Sequence, residues 1–251
     1  MKKIAAWFKN TFMEDSEDWN QMSQSIQKMA AASGINRRKN PRIFYPKANY
    51  SARLPQIFWN NELTNPIDLS LGGVCLENPK NKFGTEVGSE TSLILTWIDR
   101  NQVPVKAKIV GQSFEKVHMQ FEDLPTDIYL KLSINLKAGL IGRKFQRTFI
   151  NENKNIKTDF QELWVGINNE NLSFLSSGPF FAKLNFFGVC ISFSKDTNPK
   201  VTDAKGEEKI WDEKIQSDCL LLLSNISLPS KKVTDLKELL ESPQFAIRKA
   251  S

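Results

Sequence analysis

The sequence predicts a mainly β protein with flanking helices: a small antiparallel barrel or sandwich, then a second β-rich domain that ends in a helix. Three observations carry this. Between residue 36 and about residue 125, short runs rich in β-branched and aromatic residues alternate with turn residues, as in strands joined by hairpins. Apolar residues recur at helical spacing before that region, directly after it and near the C-terminus. A further set of strand-like runs occupies 160–193.

In chain order, Ile4, Trp7, Phe8 and Phe12 share one helical face, and Trp19, Met22, Ile26 and Met29 continue the period. Two opening helices are therefore expected, with Gly34 ending the second. Lys2, Lys3 and Lys9 suit an anionic membrane surface, but the acids Glu14, Asp15, Glu17 and Asp18 would be repelled, so packing on protein is expected. Residues 52–59 (ARLPQIFW) read as strand, Asn60-Asn61 as a turn and 74–76 as a second short strand. Residues 82–88 are turn-like, 91–97 (TSLILTW) strand, 99–102 a hairpin turn, and 103–110 and 116–121 further strands. Ile128, Leu132, Leu136, Leu140 and Phe145 predict a helix over 126–148, weakened by Gly139 and Gly142, with Arg143, Lys144 and Arg147 as its solvated end. Strands are expected at 160–167, 172–175, 181–187 and 189–193, a polar loop at 197–208 and a helix at 233–240. Trp164, Phe180, Phe181, Phe186, Phe187 and Trp211 lack interleaved basic residues and are expected in a core. The domains implied are 1–35, helical; 36–148, barrel and helix; and 149–251, a β-rich domain of unassigned role.

Composition narrows the function. With 251 residues, 40% apolar and 25% charged, the chain has the make-up of a soluble globular protein. Residues 1–60 hold ten Lys and Arg against four Asp and Glu, leaving 24 of each for the rest. The positive charge therefore belongs to one segment, which disfavours a nonspecific nucleic-acid binder with a generally basic surface. Cys75, Cys190 and Cys219 are odd in number and lack metal-type spacing, which points to a reducing cytoplasm. His118 is the only histidine, which removes most His-based metal sites and Ser-His-Asp arrangements; alone in a strand-like run, it is expected to be structural or exposed. No phosphate-binding glycine loop, zinc motif or dinucleotide fingerprint occurs. An enzyme is not expected, nor a metal or cofactor. The apolar start breaks at Lys9 and Asn10, and the run at 219–223 is too short to span a bilayer.

From Trp19 to Asn61 there is no acid, yet Lys28, Arg37, Arg38, Lys39, Arg42, Lys47 and Arg53 lie there. Within this segment Arg38-Lys39-Asn40-Pro41-Arg42 forms Arg-x-x-x-Arg, and Pro41 excludes a helix through it. Downstream, Asp68-Leu69-Ser70-Leu71-Gly72-Gly73 forms Asp-x-Ser-x-x-Gly. In this order and spacing the two motifs resemble the ligand-binding elements of the PilZ domain, a family of receptors for the bacterial second messenger cyclic di-GMP. The resemblance covers about residues 36–148. It implies a six-stranded barrel with the Arg pair in the loop entering the first strand and a helix after the barrel.

It also implies a ligand site of Arg37, Arg38, Arg42, Asp68, Ser70, Gly72 and Gly73. Guanidinium forks bind phosphate bidentately and stack on guanine. Asp68 would accept from the guanine N1–H and amine, Ser70 would bond phosphate or base, and Gly72 and Gly73 would let backbone approach the ligand. An Arg at position 37 is associated in the family with a mutually intercalated ligand pair, so two cyclic di-GMP per chain are expected. At the last barrel strand the family often has a Gly-Val-x-Phe ending. Here Val117-His118-Met119-Gln120-Phe121 matches only at Phe121, a departure expected to touch no ligand contact. The function implied is a cytoplasmic receptor that passes binding on to a conformational change or an unidentified protein partner. Two alternatives stand beside it: a nucleic-acid-binding small barrel, and an interaction scaffold whose PilZ-like half does not bind.

Overall fold

The computed structural model describes residues 40–45, 53–79, 82–84, 86–97, 102–148, 160–168, 170–176, 178–194 and 197–242. The two opening helices, Arg37 and Arg38 lie outside these residues. The chain divides into two units, Met1–Pro41 and Arg42–Ser251, and every described strand and helix belongs to the second.

The first sheet holds β1 (Ile43–Phe44), β2 (Gln56–Trp59), β3 (Glu62–Leu63), β4 (Pro66–Ser70), β5 (Gly73–Glu77), β6 (Glu90–Thr96), β7 (Gln102–Gln112) and β8 (Lys116–Glu122). All pairings are antiparallel, in the order β1-β4-β5-β8-β7-β6-β2-β3. Local chemistry explains the tightest turn: Asn60 and Asn61 have φ of 51° and 63°, the left-handed pair that a two-residue hairpin of matching twist needs and that Asn tolerates.

Strand β3 is one edge of this sheet and β4 is next to the other edge, yet only Thr64 and Asn65 join them. Three chain steps reach roughly 11 Å at most, so the sheet has to curl back on itself. One contact holds that curl: the Tyr45 hydroxyl, just after β1, donates to the Pro55 carbonyl just before β2 (2.6 Å). The result is a curled half-barrel of eight strands rather than six, β1 and β3 being two residues each.

Helix α1 (Thr126–Gly142) leads into the second sheet: β9 (Gln146–Thr148), β10 (Phe160–Val165), β11 (Asn171–Leu175), β12 (Ala182–Phe186), β13 (Val189–Phe193), β14 (Lys200–Asp203) and β15 (Glu208–Lys209). These seven pair in simple chain order as an antiparallel meander. Helices α2 (Glu213–Ser224) and α3 (Lys231–Glu241) follow, opened by Asp212 and Ser230, whose side chains accept from the amides of Ile215 (2.7 Å) and Val233 (3.3 Å).

Several expectations are corrected. The helix predicted over 126–148 ends at Gly142, and 146–148 form strand β9. Phe145 fits the helical period but is buried beyond the helix, because spacing records burial and not the element that delivers it. The polar loop expected at 197–208 contains β14 and runs into β15, and their connection is organised by Asp203: its carboxylate accepts from the amides of Lys205 and Glu207, both at 2.9 Å. Helix α2 has no counterpart in the sequence pattern. Residues 216–223 are all buried, the polar Gln216, Ser217 and Asp218 together with the apolar run 219–223, so no alternation of polar and apolar faces reveals a period. The strands expected at 181–187 and 189–193 are present as β12 and β13, with Phe187-Gly188 between them. Trp164 and Phe186 are buried as expected, whereas Phe187 is exposed at this turn, with the Lys137 ammonium 4.6 Å from its ring centroid.

One hydrophobic core runs through both sheets and all three helices. Its tightest contact is between α1 and α2. A Cβ on Gly142 would sit 2.0 Å from the Leu222 carbonyl oxygen, and one on Gly139 would sit 3.0 Å from Ile43 Cγ2 and 3.1 Å from Asn225 Nδ2. The glycines that weaken a helix reading are therefore the surface on which α2 lies. Asn225, the residue after α2, then closes the edge of the first sheet. Its Oδ1 accepts from the Phe44 amide (2.7 Å) and its Nδ2 donates to the Phe44 carbonyl (3.2 Å), so a side-chain amide stands in for a neighbouring strand. Asp218 of α2 binds Arg53 Nη2 at 2.6 Å. Burial pushes the Asp218 carboxyl up and Arg53 pulls it back down.

Because the atoms that a Cβ on Gly142 would meet belong to the Leu222 backbone, Gly142→Ala is expected to cost about 1–3 kcal/mol, read as a lower urea midpoint with unchanged slope. An unchanged midpoint would mean that the helix pair is not packed this closely.

Candidate functional site

Strand register builds the site. Phe44 lies opposite Asp68, Asp68 opposite Cys75, Cys75 opposite His118, and His118 opposite Gly111, so one row crosses β1, β4, β5, β8 and β7. The neighbouring row, Ile43, Leu69, Val74, Met119 and Ile109, is buried at 0–1% exposure. By the two-residue alternation of strands the Asp68 row therefore faces outward.

Arg42, immediately before β1, reaches along this row. Its Nη1 donates to Asp68 Oδ1 at 3.0 Å and Oδ2 at 3.3 Å, and it lies 3.3 Å from His118 Nδ1. Since a guanidinium only donates, Nδ1 can serve only as an acceptor in this contact. Asp68 and His118 flank buried Cys75, so the guanidinium spans over the thiol. All three contacts use one nitrogen, and the side chains of Arg42 and Asp68 are each 18% exposed. The pair is thus partly desolvated but open to solvent on one side. Arg143, at the end of α1, donates from Nη1 to the Arg42 carbonyl. Arg147 pairs with buried Glu162 at 3.2 Å. The basic cluster after α1, expected to be solvated, instead tethers Arg42 and the second sheet.

The second motif has a different local role. The Ser70 Oγ donates to the Gly73 carbonyl and accepts from the Gly72 amide, both at 3.2 Å, and Ser70 is 3% exposed. Its hydroxyl organises the β4–β5 turn. A Cβ on Gly73 would stand 2.1 Å from the Met119 carbonyl oxygen, so glycine is required for β5 to meet β8. Gly72 accepts from the Phe121 amide at 3.0 Å. Of the predicted site residues, Arg42 and Asp68 are in contact, Ser70 sits one pleat along the same face, Gly72 and Gly73 close its turn, and Arg37 and Arg38 lie outside the described residues.

Motif reasoning misses His118 as a site residue. The departure at the last strand reaches Arg42, because register carries His118 into the Asp68 row. The signal lies in the alternation around Val117 and Met119, which turns His118 outward.

Elsewhere, buried Glu162 accepts from Trp164 Nε1 (2.6 Å) and from the Ser230 hydroxyl, and serves packing. Among the described residues no group of three or more His, Cys, Asp or Glu is placed to hold a metal ion, and no helix is long and apolar enough to cross a membrane. Cys75, Cys190 and Cys219 are unbridged. No family model matches the chain, and no curated protein matches it in sequence.

One carboxyl titrates near neutrality. Burial pushes Glu170, after β10, up to about 7, against the pull of Lys137. A carboxyl raised in the folded state destabilises the fold as pH climbs from its unfolded value to its folded one. Glu170→Gln should therefore raise the melting temperature at about pH 8 and leave it nearly unchanged at about pH 4. Equal shifts at both pH values would contradict the burial of this group.

Proposed function

We propose that this protein is a cyclic di-GMP receptor without chemistry of its own, whose first sheet is a PilZ-like barrel and whose outer face takes the ligand. The observation that carries the reading is the contact between Arg42 and Asp68. The two motifs, 26 residues apart, converge on one solvent-facing row, as a shared ligand site requires. The curl of the first sheet and the placement of Arg42 at the entry to β1 support it.

The chemistry of capture follows from the same contact. An exposed-side ion pair is exchangeable: a phosphodiester can replace Asp68 as the partner of Arg42, and Asp68 then accepts from a guanine N1–H and amine. Arg38 supplies the second fork and Arg37 a third. Such a receptor works in the cytoplasm, where this messenger is made, and free cysteines fit that compartment.

Movement of Arg42 has a route outward. Its carbonyl is held by Arg143, Phe44 by Asn225, and Arg53 by Asp218, so Arg42, Phe44 and Arg53 are each fastened at α1 or α2. Ligand that pulls on Arg42 biases these contacts by no more than its differential affinity for the two arrangements. A protein partner that reads α2 or the second sheet would complete the pathway.

Calorimetric titration with cyclic di-GMP tests the reading. Saturable binding is expected, with GTP, GMP and short oligonucleotides competing poorly. Losing one arm of a desolvated charged contact costs ~2–5 kcal/mol, so Arg38→Ala and Arg42→Ala should each weaken binding about thirtyfold or more. Wild-type affinity in both variants, or tighter binding of oligonucleotide than of the dinucleotide, would overturn it.

Stoichiometry is a separate outcome. With Arg37 able to neutralise and stack on a second, intercalated ligand, two cyclic di-GMP per chain are expected. Arg37→Leu should shift the titration toward one with weaker binding, the lost stacking contact being worth ~0.5–2 kcal/mol. One ligand per chain in both proteins would reduce Arg37 to part of the general positive field.

A further inference from the structure

We propose that Phe44 is a further ligand-binding residue of this site, a stacking platform for one guanine of cyclic di-GMP. The inference rests on the receptor reading and deepens it, because it names the group that holds the flat face of the base whose edge Asp68 reads. Phe44 is 61% exposed. Single exposed apolar residues are ordinary on protein surfaces, so exposure alone gives it no role. Its position does. Of the large exposed aromatic side chains among the described residues, Phe114 and Phe187 lie in connections between strands and Tyr129 lies on α1, whereas Phe44 belongs to a strand, in the row that carries the ion pair.

Backbone pairing fixes where the ring stands. Tyr45 donates its amide to the Ile67 carbonyl at 2.9 Å, and along antiparallel strands the preceding residue turns its own amide and carbonyl the other way. Those two groups of Phe44 meet the Asn225 side chain at 2.7 and 3.2 Å. Phe44 and Asp68 are thus a non-hydrogen-bonded pair, the kind whose side chains come closest, with Cβ atoms roughly 4.5–5.5 Å apart on one face. Asn225 is itself anchored, since its Nδ2 also donates to the Leu221 carbonyl of α2 at 2.9 Å. The backbone beneath the ring is therefore held from both sides.

The same contacts narrow what the ring serves. A peptide strand added to the edge of β1 would need the outward amide and carbonyl of Phe44, and Asn225 takes both. The edge is closed while the face is open. On that face Arg42 Nη1 lies 3.0 Å from Asp68 Oδ1, and Phe44 stands directly across from Asp68. A cation for phosphate, a carboxylate for the donor edge of guanine and an apolar ring for its face therefore adjoin one another. A bare anion has no use for the ring, and a purely apolar ligand has none for the ion pair; a guanine dinucleotide uses all three. Stacking does not distinguish one base edge from another, so Phe44 adds affinity and Asp68 sets the choice of base.

The test is calorimetric titration of the full chain with cyclic di-GMP for wild type, Phe44→Tyr and Phe44→Leu, with the guanine H8 resonances of the ligand followed by NMR. Tyr keeps the π face, whereas Leu keeps apolar bulk without it. Phe44→Leu should bind at least about fivefold more weakly, and Phe44→Tyr like wild type. At saturation one H8 resonance should lie further upfield with wild type and Phe44→Tyr than with Phe44→Leu, through the ring current. Circular dichroism and melting temperature should agree among the three proteins, because the side chain is exposed. Wild-type affinity in Phe44→Leu, or H8 shifts that it leaves unchanged, with Arg42→Ala still weakening binding, would overturn this inference and leave the receptor reading intact. Sedimentation gives a second way to lose it: self-association abolished by Phe44→Leu at unchanged ligand affinity would assign the ring to a contact between copies of the chain. No binding of cyclic di-GMP to wild type would overturn both readings.

Discussion

The crossing of α1 and α2 is the contact on which the arrangement of the rest depends. With Gly142 against the Leu222 carbonyl and Gly139 against Ile43 and Asn225, α2 lies closer to α1 than any side chain would allow. That approach has consequences along α2 and past its end. Near its middle, Asp218 meets Arg53; beyond its last turn, Asn225 meets the backbone of Phe44. A helix late in the chain therefore sets the start of the first strand and the segment leading into β2. The two sheets and the helices share one hydrophobic core.

Arg42 stands at the meeting point of these constraints. Its backbone is held by Arg143 and its side chain by Asp68 and His118, and each holder comes from a different element. A guanidinium fixed on several sides is pre-organised, which would lower the entropy lost on binding a phosphate there. Its partner in the structure, Asp68, offsets its charge. An isolated cation buried to this degree would lack that compensation.

The Asp-x-Ser-x-x-Gly motif illustrates how one run of residues serves fold and site together. Ser70 and Gly73 shape the β4–β5 turn and the approach of β5 to β8, and that turn fixes where Asp68 points. Its glycine is needed against this chain's own Met119 carbonyl, so its conformational freedom is already accounted for without a ligand. His118 works in the opposite direction. It lies within a strand and not a turn, and its Nδ1 reaches Arg42 of the charged pair.

Much of the first sheet was legible in the sequence because its determinants are local. Alternation marks β7 and β8, the Asn pair sets a left-handed turn, and the two motifs flag Arg42 and Asp68. Helix α2 and the end of α1 were not legible, since a segment buried on all sides has no period and glycines used for close packing look like helix breakers. Sequence by itself determined the strand alternation, the turns, the motifs and the concentration of positive charge in the first 60 residues. Only the tertiary structure decided that Asp68, Cys75 and His118 share a row, that Arg42 lies across them and that α2 holds the entry strand. Register and helix packing join residues 26 to 181 positions apart, and no local pattern encodes such distances.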